Sequence, residues 1–210
     1  MSKNLIVDYI PFEVTPQQIN ESIKNNDGRL VVKGTLQRAE AKNQNGRVYP
    51  KDTLVREAKK YAQTNIAERR ALGELDHPDS SVVNLNNVSH NVLEMHWSGD
   101  DLNGTVEVLG TPAGNILKEL FKSGIKLGIS SRGLGSVEEV NEGEDGEPTV
   151  KVQPDFELIA FDFVSNPSTH GAFLSPTNEG VINEGVGTRN GKCCHDCKIE
   201  DIINDIFRGD

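Results

Sequence analysis

Over most of the chain, short runs rich in β-branched and aromatic residues alternate with turn-forming Asn, Asp and Gly. This pattern predicts strands rather than long helices. The predicted strands cover residues 30–36, 87–97, 105–109, 127–140 and 150–164. Strands joined by hairpin-type turns favour an antiparallel sheet that closes on itself over a doubly wound parallel sheet. We therefore expect an α+β, mainly β fold: an antiparallel, six- or seven-stranded barrel with flanking helices.

Two segments between the strands show helical spacing instead. Apolar residues recur every three or four positions after Pro50, from Leu54 to Tyr61, which predicts an amphipathic helix. A second helix is predicted to begin after Thr111, a good N-cap residue, and to end at Gly124.

Both ends of the chain are more polar than its middle. Residues 1–28 hold one short apolar run and then a stretch rich in Asn, Gln and Asp, which we interpret as a peripheral arm. Toward the other end, Ser, Thr, Asn and Gly dominate, which predicts a tail over residues 176–210. The central domain would then span residues 29–175.

Net charge and hydropathy argue against two classes of binding partner, nucleic acids and membranes. The formal net charge is -10, so the surface as a whole should repel phosphate backbones, and we expect no nucleic-acid partner. The apolar runs are far shorter than the roughly 20 residues that span a bilayer, and the N-terminus does not resemble a signal peptide. We therefore expect no membrane association.

All the cysteines lie in the predicted tail, so the central domain cannot contain a disulfide, as suits a reducing compartment. Cys193, Cys194, His195 and Cys197 offer ligands that zinc accepts. One such cluster without a second pair is a weak signal, and we favour a flexible tail without metal. No cofactor is expected.

Residues 73–78 (GELDHP) contain the first candidate for chemistry. His77 follows a short β-like run and precedes a proline, so it would be held at the end of an element. A neutral imidazole in such a place can act as a general base. Taken alone, a histidine beside proline is more often structural or simply exposed.

Residues 127–136 (LGISSRGLGS) contain the second candidate, a serine pair enclosed by glycines. Glycines allow a substrate backbone to approach closely, and a nucleophilic serine needs that access as well as free N–H groups for the oxyanion. Without context the same run indicates a bulged strand. It is not the Gly-x-Ser-x-Gly elbow of the α/β-hydrolases, because Ser131 and Arg132 follow Ser130.

The third candidate is Asp162, which interrupts an apolar strand between Phe161 and Phe163. A buried carboxylate would need a cationic partner such as histidine or arginine. Asp162 could orient His77 in this way, or it could simply face solvent on a half-buried strand.

Four segments together resemble the prohead core proteases of tailed bacteriophages, a branch of the herpesvirus-assemblin-like serine proteases. They read NGRVYP (45–50), GELDHP (73–78), GISSRGLGS (128–136) and FDFVSNPS (161–168). The resemblance covers roughly residues 29–175 and implies a seven-stranded antiparallel barrel surrounded by helices, in agreement with the strand pattern.

The resemblance also implies roles. His77 would be the general base, Ser130 the nucleophile and Asp162 the acid that orients the imidazole, with no metal. Ser131 competes with Ser130, because alternation along a strand puts the two serines on opposite faces.

Proteases of this family cut after Glu in Leu/Ile-x-Glu sequences, and the tripeptide Ile-Asn-Glu occurs in both polar ends of this chain. We therefore expect self-cleavage between Glu21 and Ser22 and between Glu184 and Gly185. Such cleavage would leave a core beginning at Ser22 and remove the cysteine-bearing tail.

The resemblance implies a serine endopeptidase that cleaves scaffold or core proteins and the capsid protein inside the viral procapsid, within the host cytoplasm. The sequence leaves the oligomeric state open. The main alternative is a non-enzymatic scaffold or capsid-assembly protein that retains the fold. A serine esterase would need a small acyl pocket, for which the sequence gives no sign.

Overall fold

The structure is a computed structural model that describes residues 3–12, 14–76, 78, 80–140 and 149–165. These residues form ten strands and three α-helices, and a π-helical turn (Ala62–Ile66) follows the second helix. The strands are β1 (Asn4–Phe12), β2 (Leu30–Arg38), β3 (Arg47–Val48), β4 (Leu72–Glu74), β5 (Val88–Ser98), β6 (Asp101–Val108), β7 (Leu127–Gly135), β8 (Val137–Val140), β9 (Thr149–Val152) and β10 (Glu157–Val164). The helices are α1 (Pro16–Asn25), α2 (Lys51–Tyr61) and α3 (Pro112–Lys122).

The strands form three sheets, with the orders β1-β7-β10, β2-β6-β5-β4 and β3-β9-β8. The first two sheets are antiparallel throughout. In the third sheet β3 runs parallel to β9, while β8 and β9 form an antiparallel pair. The prediction of a mainly β fold with few helices is therefore confirmed.

The first two sheets, β1-β7-β10 and β2-β6-β5-β4, approach each other at their edges, but no continuous ladder of the described strands closes them into a barrel. β4 and β10 are linked by one parallel bridge, Leu75 to Phe163, and the Asp76 N–H donates to the Phe163 carbonyl at 2.8 Å. On the other side, Phe12 of β1 lies over Gly34 of β2, but no ladder joins these strands in the part of the chain that the structure describes. The predicted closed barrel is thus not confirmed.

Aromatic rings fill the space between the first two sheets. Phe163 meets Phe12 at a centroid distance of 5.1 Å and Phe121 at 5.4 Å, both edge to face. Phe161 meets Tyr61 in the same way at 5.8 Å. Each such pair contributes about 0.5–1.5 kcal/mol beyond area burial. The face of β10 that carries Phe161 and Phe163 therefore lies in the core.

Both predicted helices are confirmed. Thr111 caps α3 through its side chain, and Gly124 has φ +72, a conformation that glycine adopts at a helix end without strain. The helix α1 was not predicted, although Thr15 and Gln18 form a capping box at its start. None of the helices in the described ranges is both long and apolar enough to cross a membrane.

The structure differs from our interpretation of residues 1–28 as a peripheral arm. β1 pairs with β7 along its whole length, from Asn4 opposite Gly135 to Phe12 opposite Leu127. Ile6 and Phe12 of β1 and Ile19 of α1 are buried. The physical reason is that the polar stretch is an amphipathic helix, whose apolar side covers the core while its Asn and Gln side chains face solvent. The loop at 141–147 and the tail at 176–210 lie outside the described residues.

Gly73 lets β4 pass close to both His90 and β10. A Cβ at this position would lie 2.0 Å from the Phe161 carbonyl oxygen and 2.2 Å from Nε2 of His90. His90 is fully buried, and its Nε2 lies 2.9 Å from the Phe161 oxygen while its Nδ1 lies 2.8 Å from the Ser89 hydroxyl. Because a carbonyl only accepts, Nε2 carries the proton and Ser89 donates to Nδ1. The ring is therefore held neutral.

This buried histidine predicts a pH dependence of stability. Burial lowers the pKa of His90 from 6.5 to about 4, so the unfolded chain takes up a proton at a pH where the folded chain does not. Stability is therefore lost as the pH falls from about 6.5 toward 4, by about 2 kcal/mol between pH 7 and pH 5. Urea unfolding of the wild type and of His90→Gln at both pH values measures it. Equal pH dependence in the two proteins would contradict the prediction.

Candidate active site

The central strand β7 presents its two serines to opposite faces of the sheet. Ser130 pairs with Asp162 of β10, whereas Ser131 pairs with Phe161 of β10 and with Asp8 of β1. Paired residues of antiparallel strands share a face, and alternate residues of one strand do too. Ser130, Arg132 and Asp162 therefore lie on one face of the sheet, and Ser131 lies on the core face.

Asp162 is paired with Arg132 in a two-point ion pair. Nε of Arg132 donates to Oδ2 at 2.8 Å and Nη2 donates to Oδ1 at 3.1 Å. Both side chains are 0% exposed. The alternative that Asp162 faces solvent is therefore wrong, and arginine is a partner of the kind that a buried carboxylate requires.

Glu74 of β4 adds a second carboxylate to this buried group. Its Oε1 accepts from Nη2 of Arg132 at 2.9 Å, and its backbone N–H donates to Asp162 at 2.9 Å. Its Oε2 is buried and has no hydrogen-bond partner among the described residues. The two carboxylates and the one guanidinium of this buried group sum to a formal charge of one minus.

The segment after β4 is fastened over the cluster by main-chain groups. Nη1 of Arg132 donates to the Ser80 carbonyl at 2.7 Å, and the Asn84 N–H donates to the Glu74 carboxylate at 3.0 Å. Arg132 thus connects β7, β10, β4 and this segment through one side chain. Removing a partner from such a group costs about 3–5 kcal/mol, because it leaves a charge buried without compensation.

His77 lies outside the described residues, and its predicted role as general base stays a prediction. The described chain approaches it at Asp76, whose N–H is bonded to the carbonyl of Phe163, the residue after Asp162. The last described residue before position 77 is therefore fixed on β10.

Both serines are buried and hydrogen-bonded. The Ser130 hydroxyl donates to the backbone carbonyl of Asp8 at 2.7 Å. The Ser131 hydroxyl accepts from Nε2 of Gln37 at 2.7 Å. Only Ser130 shares a face with the Arg132 and Asp162 pair.

The glycines after the serines leave room for Phe156 to pack against β7. A Cβ on Gly133 would lie 2.4 Å from the ring of Phe156, and one on Gly135 would lie 3.0 Å from the Phe156 backbone. The prediction that glycines here admit a substrate is therefore not supported at these two positions, since Phe156 fills the space.

The proposed cleavage positions differ in what the structure describes. Glu21 and Ser22 lie within α1, and the Ser22 hydroxyl donates to the Val31 carbonyl at 2.6 Å and accepts from the Val31 N–H at 2.8 Å. Glu184, Gly185 and the cluster of Cys193, Cys194, His195 and Cys197 lie outside the described residues. Within the described part of the chain, no three His, Cys, Asp or Glu side chains are grouped so as to hold a metal ion.

Sequence reasoning assigned no role to Arg132, Glu74 or Asp8. The place of Arg132 on the site face could have been predicted, since it stands two residues after Ser130 in a strand and so shares its face. An arginine there and an aspartate in an equally apolar strand are complementary charges that each need a partner. Which strands are neighbours is not readable from spacing.

Known proteins of one family are similar to this chain in sequence and in structure. Residues 5–184 match the family of prohead core protein serine proteases. The chain is 32% identical over 164 residues to the prohead core protein protease of Enterobacteria phage T4, covering 73% of this chain and 75% of that protein. The solved structure of the bacteriophage T4 capsid assembly protease superposes with a TM-score of 0.67 at 26% identity, covering 79% of this chain and 99% of that one. The resemblance seen in the sequence is confirmed, and the chain belongs to the prohead core protein serine protease family.

Proposed function

We propose that this protein is a serine endopeptidase that cleaves scaffold or core proteins and the capsid protein inside a viral procapsid during head maturation. The observation that carries the proposal is the shared face of Ser130 and Asp162 on adjacent strands of one sheet. Ser131 is on the opposite face, with the core aromatics, so Ser130 is the nucleophile. The family and the names of the relatives supply the substrate class and the place of action.

In the proposed reaction, Oγ of Ser130 attacks the carbonyl carbon of the scissile peptide bond and gives its proton to His77. His77 then passes this proton to the nitrogen of the leaving amine as the C–N bond breaks, which leaves an acyl-enzyme. Water, deprotonated in turn by His77, attacks the acyl carbon, and His77 returns the proton to Oγ of Ser130 as the C–O bond breaks and the acid leaves. Backbone N–H groups after Ser130 hold the oxyanion, and Asp162 orients the imidazole.

The buried cluster argues against the non-enzymatic alternative. Replacing buried ionic groups with well-packed apolar residues is often neutral or stabilising, so a scaffold protein has no stability reason to keep them. Here Arg132, Glu74 and Asp162 are all fully buried on the face of Ser130. Their negative excess would stabilise an imidazolium formed during the reaction.

Self-cleavage after Glu184 and after Glu21 is part of the proposal, with Leu/Ile-x-Glu as the recognised sequence. Proteases act on locally unfolded chain, and Glu21 lies inside a capped helix whose Ile19 is buried. Cleavage there therefore requires α1 to open first. Because β1 precedes this position and pairs fully with β7, the released N-terminal piece would stay bound to the core without a covalent link.

Substitution of each serine in turn identifies the nucleophile. We expect the wild type and Ser131→Ala to lose the end beyond Glu184 on incubation, while Ser130→Ala keeps its full mass. Intact mass spectrometry of the three proteins measures this, and an added peptide containing Ile-Asn-Glu reports activity independently. The assignment of Ser130 as the nucleophile would be wrong if Ser130→Ala processed itself and cut the peptide like the wild type, and the protease function would be wrong if the wild type did neither.

Removal of the N-cap of α1 tests whether this helix must open before cleavage after Glu21. Thr15→Ala removes the N-cap, which costs about 1 kcal/mol of helix stability and so raises the open fraction about fivefold. Placed in a Ser130→Ala chain and exposed to wild-type protease, it should speed cleavage after Glu21 by about that factor. The readout is the rate of appearance of the fragment that ends at Glu21.

Thr111→Ala in the same inactive chain is the matched control, because Thr111 caps α3 in the same way but far from Glu21 along the chain. It should leave the rate of cleavage after Glu21 unchanged. Equal acceleration by both substitutions would mean that global unfolding, not opening of α1, exposes the bond.

A further inference from the structure

Three side chains from the segment after β2 meet at one carboxylate of β1. Asp8 is buried, and its Oδ1 accepts from Nδ2 of Asn45 at 2.6 Å and from Nη1 of Arg47 at 3.0 Å. The Tyr49 hydroxyl donates to its Oδ2. Burial and then the charge of Asp8 raise the pKa of Tyr49 well above its ordinary value, so the hydroxyl keeps its proton and remains a donor.

The same donors also hold the backbone of β1. Nδ2 of Asn45 and Nη1 of Arg47 each donate to the carbonyl of Val7 at 3.0 Å. Residues 7 and 8 are therefore fixed through a main-chain oxygen and a side-chain carboxylate at once. We call Asn45, Arg47 and Tyr49 the β1 clamp.

Asp8 connects this clamp to the proposed nucleophile. Its carboxylate lies on the Ser131 face of the sheet, while its backbone carbonyl accepts the hydroxyl of Ser130. A serine side chain has three staggered rotamers, and this hydrogen bond selects one of them. Any shift of β1 along or away from β7 would move the acceptor and release the hydroxyl.

We propose that Asp8 is a positioning residue for Ser130: the β1 clamp fixes the Asp8 carboxylate and thereby the Asp8 carbonyl, which sets the position of Oγ of Ser130 in the resting enzyme before the hydroxyl proton turns to His77. The inference rests on the proposed function, in which Ser130 is the nucleophile. It also gives a role to the segment NGRVYP, whose Asn, Arg and Tyr form the clamp. Asp8 acts through Ser130 and does not itself touch the substrate.

The test compares Asp8→Asn with a matched control, Glu107→Gln. Glu107 is also a buried strand carboxylate paired with arginines, Arg29 at 3.1 Å and Arg69 at 3.4 Å, but it lies on β6 and has no contact with Ser130. Both substitutions weaken the ion pairs of a buried carboxylate, so both should lower the melting temperature. Activities are therefore compared per folded molecule, at a temperature where both variants are folded.

Two readouts separate positioning from stability: the kcat and KM for an Ile-Asn-Glu peptide, and the rate at which a small fluorophosphonate labels Ser130. Because a misplacement of about 1 Å can cost about a hundredfold, we expect Asp8→Asn to lower kcat and labelling about tenfold or more, with KM nearly unchanged. Glu107→Gln should leave kcat and labelling within about twofold of the wild type. The inference would be overturned if the fluorophosphonate labelled Asp8→Asn at the same rate as the wild type.

A double-mutant cycle tests whether the clamp acts through Asp8. Tyr49→Phe removes only the hydroxyl and keeps the ring that packs edge to face on Phe156. It should slow labelling in the wild type and have little further effect in Asp8→Asn, since both changes remove the same hydrogen bond. Independent, additive effects would overturn the inference. Wild type that labels on Ser131 would instead overturn the choice of Ser130 as the nucleophile, and wild type that labels on neither serine would overturn the proposed function. Either result leaves the clamp without a nucleophile to position.

Discussion

The buried ion pair between Arg132 and Asp162 is the interaction on which this site depends. Breaking such a pair costs about 3–5 kcal/mol, a large part of the 5–15 kcal/mol that keeps an ordinary domain folded. Through its other nitrogens Arg132 also holds Glu74 and the Ser80 carbonyl, so four segments distant in sequence share one guanidinium. The pair fixes β10 against β7, and so fixes Asp162 beside Ser130.

The strand β7 is polar on both faces at this point, which is unusual for a strand in the middle of a sheet. On one face Arg132 is matched by two carboxylates, and on the other Ser131 and Asp8 are matched by Gln37 and Tyr49. Apart from Oε2 of Glu74, these polar side chains have hydrogen-bond partners among the described residues, and a network of this kind specifies one arrangement where an apolar core tolerates several. The position of Ser130 is therefore determined from both sides of the sheet.

Much of the fold was predictable because its signals are local. The helices α2 and α3 were marked by spacing, caps and a terminal glycine, and most strands by β-branched runs. The strand predicted at 105–109 began too late, since β6 already begins at Asp101 and pairs there with Ser98. α1 was missed because polar composition outweighed its capping box. Strand neighbours, and with them Arg132, Glu74 and Asp8, depend on contacts between distant segments, which no periodicity encodes.

The place of β1 limits how maturation can proceed. A protease that shed residues 1–21 entirely would expose Ile6 and Phe12, leave Arg47 and Tyr49 without their carboxylate, and remove the acceptor of the Ser130 hydroxyl. Burying two such apolar side chains contributes about 3–6 kcal/mol, and the contact of the partly buried Arg47 with the buried Asp8 carboxylate adds to it. Cutting the chain after Glu21 removes none of these contacts. The structure is therefore compatible with a nicked mature enzyme that keeps β1, and it argues against a core that begins functionally at Ser22.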